Sequence, residues 1–172
     1  MNVPNMITVF RLCLIPIFIF VFFSGIHNSL VFSIFIFLIA GASDVLDGHI
    51  ARKYNIVTKV GTVLDPLADK LMLLTVLSCL TIKRYIPILV VAIVAGKDLF
   101  MILSGIFLYK KGVVIPSNII GKISTLFFYI SILIFTFNKT IGIYLLYISA
   151  ICALVALVNY FIVYFKGKKT KK

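Results

Sequence analysis

Four aspartates at short, regular spacings are the residues of this chain best suited to chemistry. Only five of the 172 residues are acidic, all of them Asp, and four of these lie within 26 positions. They occur among segments apolar enough to enter a bilayer, where an ionised carboxylate is costly and tends to mark a functional site. Clustered carboxylates repel one another unless cations lie between them. The pattern therefore predicts a metal site formed by Asp44, Asp47, Asp65 and Asp69.

The residues beside these aspartates suit a phosphate-bearing ligand. Carboxylate oxygens favour a hard cation, Mg²⁺ or Mn²⁺, and can hold two such ions about 4 Å apart to clamp a phosphoryl transfer. Gly48 and Gly61 have no β-carbon, so a phosphate or nucleotide can approach the backbone closely. Arg52 can bond two phosphate oxygens at once. Together these groups favour a pyrophosphate ligand.

The elements that must position these residues are apolar helices. Hydrophobic residues make up 62% of the chain and charged residues 13%, and the mean hydropathy is +1.19. A soluble domain carries about twice that charged fraction. Because about 20 apolar residues cross a bilayer as a helix, we predict an all-α integral membrane protein with six transmembrane helices. The predicted segments are 6–24, 29–52, 61–82, 86–109, 118–137 and 141–165.

Basic residues predict the orientation of these helices, since they accumulate in cytoplasmic loops. With a cytoplasmic N-terminus, ten of them fall on the cytoplasmic side and three on the other. We therefore expect both termini in the cytoplasm and a multi-pass protein of the plasma membrane. Residues 1–165 would form one membrane domain and 166–172 a basic cytoplasmic tail. The ten are Arg52, Lys53, Lys59, Lys110, Lys111, Lys166, Lys168, Lys169, Lys171 and Lys172; the three are Lys83, Arg84 and Lys139.

This topology predicts an active site at the cytoplasmic ends of helices 2 and 3. Asp44 and Asp47 fall in the last turns of helix 2, and Asp65 and Asp69 in the first turns of helix 3. Spacings of three and four residues place each pair on one helix face. Antiparallel packing can then turn the two faces toward each other, so that all four carboxylates converge.

With its intervening residues, the motif resembles the signature of the CDP-alcohol phosphatidyltransferase family. All eight signature positions match, and they fall on the second and third of six predicted helices, as in that family. Residues 64–70 and 116–125 resemble the branch that contains bacterial phosphatidylglycerophosphate synthases and cardiolipin synthases, and residues 4–11 resemble the family's N-terminal segment. The signature positions are Asp44, Asp47, Gly48, Ala51, Arg52, Gly61, Asp65 and Asp69.

The resemblance implies a role for each of these residues. Asp44, Asp47 and Asp65 would hold the metal ions that bridge the pyrophosphate of CDP-diacylglycerol. Asp69, also a candidate metal ligand, would be the catalytic base that takes the proton of an acceptor alcohol as CMP leaves. The pocket for the cytidine diphosphate would be lined by Gly48, Ala51, Arg52 and Gly61.

The aspartate motif does not identify the acceptor alcohol. Glycerol 3-phosphate is the preferred acceptor, and the alternative is cardiolipin synthesis with phosphatidylglycerol as acceptor. Lys97-Asp98 is similar to a basic-Asp pair in the family's cardiolipin synthases, whereas its phosphatidylglycerophosphate synthases typically have Arg-Glu there. The candidate acceptor-binding residues are Arg11, Lys110, Lys111, Lys122 and Asp98.

Asp98 has a structural interpretation besides the functional one. It lies in the middle of the fourth predicted helix, where it could neutralise Lys122 or Lys97 or could position a substrate. Adjacent residues of a helix do not face each other, so we expect a poor pairing with Lys97.

Other function classes explain the sequence less well. The net charge of +12 would suggest nucleic acid in a soluble protein, but no soluble domain remains once the apolar segments are assigned, so we expect no nucleic-acid partner. A cation or proton transporter would place carboxylates near the bilayer midplane within an inverted repeat, and the sequence shows no such repeat.

From the family resemblance we expect a homodimer surrounded by membrane lipids.

Overall fold

Six α-helices make up the computed structural model over the residues that it describes, which are 3–53, 61–110 and 119–169. Side chains are described for residues 7–44, 64, 67–101, 121 and 123–159. No strand occurs within these ranges, which confirms the predicted all-α class. The helices are α1 (Val3–Phe23), α2 (Ser29–Lys53), α3 (Gly61–Ile82), α4 (Ile88–Lys110), α5 (Ile119–Phe137) and α6 (Lys139–Lys169).

The ends of the first five helices agree with the predicted segments to within three residues. The sixth helix ends at Lys169, four residues beyond its predicted end, so the first part of the basic tail is helical. The prediction stopped at the last apolar residue, Phe165. Lysine is nevertheless a good helix former, and the backbone hydrogen bonds do not depend on apolar side chains.

Helix α6 contains the one segment, within the described residues, that is long and apolar enough to cross a membrane. This segment is Lys139–Asn159, with 21 residues. Shorter apolar runs occur in α1 (Ile7–Phe23), α2 (Ser29–Asp44) and α5 (Ile123–Phe137). The number of spanning helices therefore remains a prediction.

The first of two compact units comprises residues Met1–Arg84. In it α1 packs against both α2 and α3, and α2 also contacts α3. The buried side chains include Phe18, Phe37 and Met72, one from each helix. Gly25 makes the turn between α1 and α2 possible, because its φ of 69° lies in the left-handed region that a side chain disfavours.

The second unit comprises residues Tyr85–Lys172. Helix α5 packs along α6, and α4 also contacts α6. A single residue, Asn138, joins α5 to α6 and caps both. Its N–H donates to the Ile134 carbonyl at 2.8 Å, and its Oδ1 accepts from the Ile141 N–H at 3.1 Å. The second bond is that of a helix N-cap.

Close contact between α5 and α6 begins at Gly142, one turn into α6. A β-carbon built there would lie 2.6 Å from both the N and Cβ atoms of Phe135 and would also clash with its Cα. Further small residues on α6 are also buried, namely Ala150, Ala153 and Ala156. Small residues allow helix backbones to approach closely, which is how helices associate inside membranes.

Buried serines connect the same two helices. The Oγ atoms of Ser131 on α5 and Ser149 on α6 lie 3.0 Å apart, and the Ser124 hydroxyl donates to the Ser149 carbonyl at 3.4 Å. Ser131 and Ser149 also contact carbonyls one turn earlier in their own helices, at 2.6 and 2.8 Å. Each of these hydroxyls therefore has a hydrogen-bond partner within an apolar interface, where an unmatched polar group would be costly.

Candidate active site

The four motif aspartates lie on the ends of α2 and α3 that residues 54–60 join. Asp44 and Asp47 are in the last three turns of α2, and Asp65 and Asp69 are in the first three turns of α3. This is the predicted placement on the helices. Because α2 and α3 contact each other, the backbone places the two pairs on neighbouring elements.

Asp44 is bound by an arginine from a different helix. The Arg11 Nη1 atom of α1 lies 2.7 Å from Asp44 Oδ1. The arginine is fully buried, with 0% of its surface exposed, whereas the Asp44 side chain is 41% exposed. A planar guanidinium makes strong, directional bonds to carboxylates. The contact engages Oδ1 of a partly exposed carboxylate, so Oδ2 is available to a ligand.

Asp69, the predicted base, is half-buried on α3. The residue before it, Ala68, is 1% exposed and belongs to the core of the first unit. Asp69 therefore lies at the border between the packed interior and the surface. Lys70, next in the chain, is also half-buried.

Several predicted site residues lie outside the described side chains. Among the side chains that the structure does describe, no group of three or more His, Cys, Asp or Glu residues could hold a metal ion. The convergence of all four carboxylates therefore stays a prediction, although the partly exposed carboxylate of Asp44 suits Mg²⁺ or Mn²⁺. The side chains not described belong to Asp47, Gly48, Ala51, Arg52, Gly61, Asp65, Lys110, Lys111 and Lys122, and of these Lys111 lies outside the described backbone as well.

The structure corrects our expectation about Lys97 and Asp98. The Lys97 Nζ atom lies 3.1 Å from Asp98 Oδ1, and each side chain is 7% exposed. Adjacent helical residues do diverge at Cβ, but the flexible four-carbon stem of lysine can bring its ammonium back to the neighbouring carboxylate. The pairing offsets part of the cost of burying the two charges in an apolar setting.

Sequence reasoning missed the contact between Arg11 and Asp44. It assigned Arg11 to the acceptor, and that assignment remains a prediction. One signal was present. An arginine inside an apolar helix needs a carboxylate partner, and only five acidic residues exist in the chain.

Comparison with known proteins decides the family. The family model of the CDP-alcohol phosphatidyltransferases matches residues 1–158, which include every motif position and both described partners of the Arg11–Asp44 contact. The chain belongs to the CDP-alcohol phosphatidyltransferase family. The resemblance seen in the eight signature residues is thereby confirmed.

Similar members of this family include enzymes named CDP-diacylglycerol--glycerol-3-phosphate 3-phosphatidyltransferase. The protein from Aquifex aeolicus is 39% identical over 136 residues, covering 77% of this chain and 74% of its own length. The protein from Wigglesworthia glossinidia brevipalpis is 31% identical over 175 residues, covering 94% and 93%. A cardiolipin synthase (CMP-forming) / mitochondrial hydrolase fusion protein from Schizosaccharomyces pombe is 32% identical over 117 residues, covering 68% of this chain and 19% of that protein.

Proposed function

We propose that this protein transfers a phosphatidyl group from CDP-diacylglycerol to glycerol 3-phosphate, giving phosphatidylglycerophosphate and CMP. The observation that carries the proposal is the aspartate motif on the adjoining ends of α2 and α3. It occurs in a chain that aligns over almost its whole length with relatives named for this reaction. The relatives reported above bear the names of enzymes that transfer or join lipid groups, so the transporter alternative gains no support from them.

The reaction needs a base, a bound leaving group and an oriented acceptor. Asp69 takes the proton of the acceptor hydroxyl. The oxygen of that hydroxyl forms a bond to the lipid-side phosphorus, and the bond from this phosphorus to the CMP oxygen breaks. A half-buried carboxylate suits this role, because it is close to the interior yet open to a substrate. Gly48, Ala51, Arg52 and Gly61 bind the cytidine diphosphate, with the guanidinium on phosphate oxygens.

A divalent cation, Mg²⁺ or Mn²⁺, belongs to this proposal. When bound, it neutralises the pyrophosphate and stabilises charge on the leaving group. Asp44, Asp47, Asp65 and Asp69 would hold it. The support is the chemistry of the donors: four carboxylates on adjoining helix ends, one of them 41% exposed and fixed by an arginine.

A multi-pass position in the plasma membrane also belongs to the proposal. Large apolar side chains cover the outside of the helices, among them Phe20 at 75%, Ile88 at 74% and Phe137 at 83% exposure. Soluble monomers rarely expose apolar surface so extensively, whereas lipid tails would cover it. The imbalance of ten to three basic residues between the two predicted sides favours a cytoplasmic active site with six spanning helices. From the family we further propose a homodimer.

The test is an acceptor assay with the purified full-length protein. Labelled CDP-diacylglycerol in detergent is mixed with Mg²⁺ or Mn²⁺ and either glycerol 3-phosphate or phosphatidylglycerol, and CMP and the lipid product are measured. We expect phosphatidylglycerophosphate from the first acceptor and no CMP release when EDTA replaces the metal. If product forms only with phosphatidylglycerol, the choice of glycerol 3-phosphate as acceptor is wrong. If turnover continues without the metal, the proposed requirement for a divalent cation is wrong.

Cardiolipin synthesis is the second candidate because two observations favour it. A cardiolipin synthase is among the relatives at 32% identity. The chain also has Lys97-Asp98, a buried ion pair in the structure, where Arg-Glu is typical of phosphatidylglycerophosphate synthases. The same assay distinguishes the two, since only this candidate predicts cardiolipin as the product.

A further inference from the structure

We infer that Arg11 is a positioning residue for Asp44, holding that carboxylate in place as a metal ligand rather than binding the acceptor. The inference rests on the proposed function, because it takes Asp44 as part of a cation site. Its observation is the 2.7 Å contact between Arg11 Nη1 and Asp44 Oδ1, which joins α1 to α2.

The unequal exposure of the two partners indicates which of them meets the substrate. Arg11 is 0% exposed, so an anionic acceptor could reach its guanidinium only after the residues that cover it had moved. The Asp44 side chain is 41% exposed and can be reached directly. The arginine therefore contacts the carboxylate from the interior of the protein, and the carboxylate is the group that faces a ligand.

The chemistry of the contact suits a positioning role. The planar guanidinium presents its N–H donors in a fixed geometry that matches a carboxylate, so the bond holds the carboxylate in a defined orientation. A fixed hydrogen bond to Oδ1 restricts rotation of the carboxylate and leaves Oδ2 oriented for a cation. Partners of this kind, one step removed from the metal, typically change metal affinity 10- to 100-fold when they are altered.

The anchor for this carboxylate comes from a different part of the sequence than the motif. Arg11 is 33 positions before Asp44, and the contact depends on the packing of α1 against α2. The metal site would then require α1 to be in place, even though α1 supplies none of the proposed ligands. This relation cannot be read from the motif itself.

The experiment compares Arg11→Lys with Arg84→Lys in the purified full-length protein. Arg84 is an exposed arginine just beyond α3, so it controls for the same chemical change away from the site. Mn²⁺ binding is measured from the electron paramagnetic resonance signal of the free ion, without substrates. We expect half-saturation of Arg11→Lys at about 10- to 100-fold higher Mn²⁺ and no change for Arg84→Lys. At saturating Mn²⁺, the KM for glycerol 3-phosphate should stay within about twofold of wild type.

Each other outcome has a definite meaning. Wild-type Mn²⁺ affinity in Arg11→Lys overturns the inference, and a raised acceptor KM with that affinity unchanged would make Arg11 an acceptor-binding residue instead. If Arg11→Lys does not fold, Arg11→Gln removes the buried charge and should show the same loss of affinity. A wild-type protein that binds Mn²⁺ but releases no CMP with any acceptor would refute the proposed function, while the comparison of Mn²⁺ affinities would still decide the role of Arg11.

Discussion

Replacing Gly142 by alanine should destabilise the contact between α5 and α6. The added methyl group would lie 2.6 Å from the N and Cβ atoms of Phe135, and real Cβ atoms essentially never approach another heavy atom closer than 3.0 Å. Two of the three nearest atoms belong to the backbone of α5. No rotation of a flexible side chain can relieve the clash, so the two helices must separate near Asn138.

Two opposing effects set the size of the change. Alanine is favoured over glycine inside a helix by up to about 1 kcal/mol. Overpacking a tight interface typically costs about 1–3 kcal/mol. We expect the clash to dominate, with a net loss of about 1–2 kcal/mol in the free energy of unfolding. For a chain of this length the melting temperature would fall by about 2–8 °C.

The assay is thermal unfolding of the purified protein in one detergent, followed by circular dichroism. Gly96→Ala is the matched control, since Gly96 lies inside α4 and an added β-carbon there meets nothing within 4 Å. That variant should be as stable as wild type or more stable by up to about 1 kcal/mol. If Gly142→Ala is also as stable as wild type, the close contact with Phe135 does not govern this interface.

Three further substitutions test the proposed site and the second unit. Asp69→Asn should abolish CMP release while CDP-diacylglycerol binding is largely kept, because the base is lost but Asp44, Asp47 and Asp65 remain as metal ligands; normal turnover would show that Asp69 is not the base. Asp65→Asn should lose Mn²⁺ binding and turnover together, measured by the paramagnetic resonance and CMP assays. Ser149→Ala should lower stability by about 0.6 kcal/mol through the lost contact with Ser131. Ser33→Ala is the control, and it should change thermal stability less, because the Ser33 hydroxyl contacts a carbonyl of its own helix.

The helices and the positions of the motif could be predicted because they depend on local pattern. Apolar runs of about 20 residues, separated by short polar or Gly/Pro breaks, predict helices in either a membrane or a packed core. Spacings of three and four place Asp44 with Asp47, and Asp65 with Asp69, on common helix faces. These features need no knowledge of tertiary packing.

The contacts between helices could not be predicted in the same way. The bond from Arg11 to Asp44 depends on how α1 lies against α2, and a sequence pattern contains no such distance. Lys97 and Asp98 show a different limit. The rule about adjacent helical residues considers Cβ directions, whereas the observed contact uses the length and freedom of the lysine side chain.

The single-residue connection at Asn138 has a consequence for how this part of the chain folds. Residues that contact each other across α5 and α6 near the turn, such as Phe135 and Gly142, are only seven positions apart. Contacts of such low sequence separation form quickly, because little chain entropy is lost in closing the loop. We therefore expect the α5–α6 hairpin to form early, before α4 docks on it. Lengthening the connection with a glycine-serine insert after Asn138 should slow refolding of this hairpin, and it would separate Asn138 from α6, so that this residue no longer caps both helices.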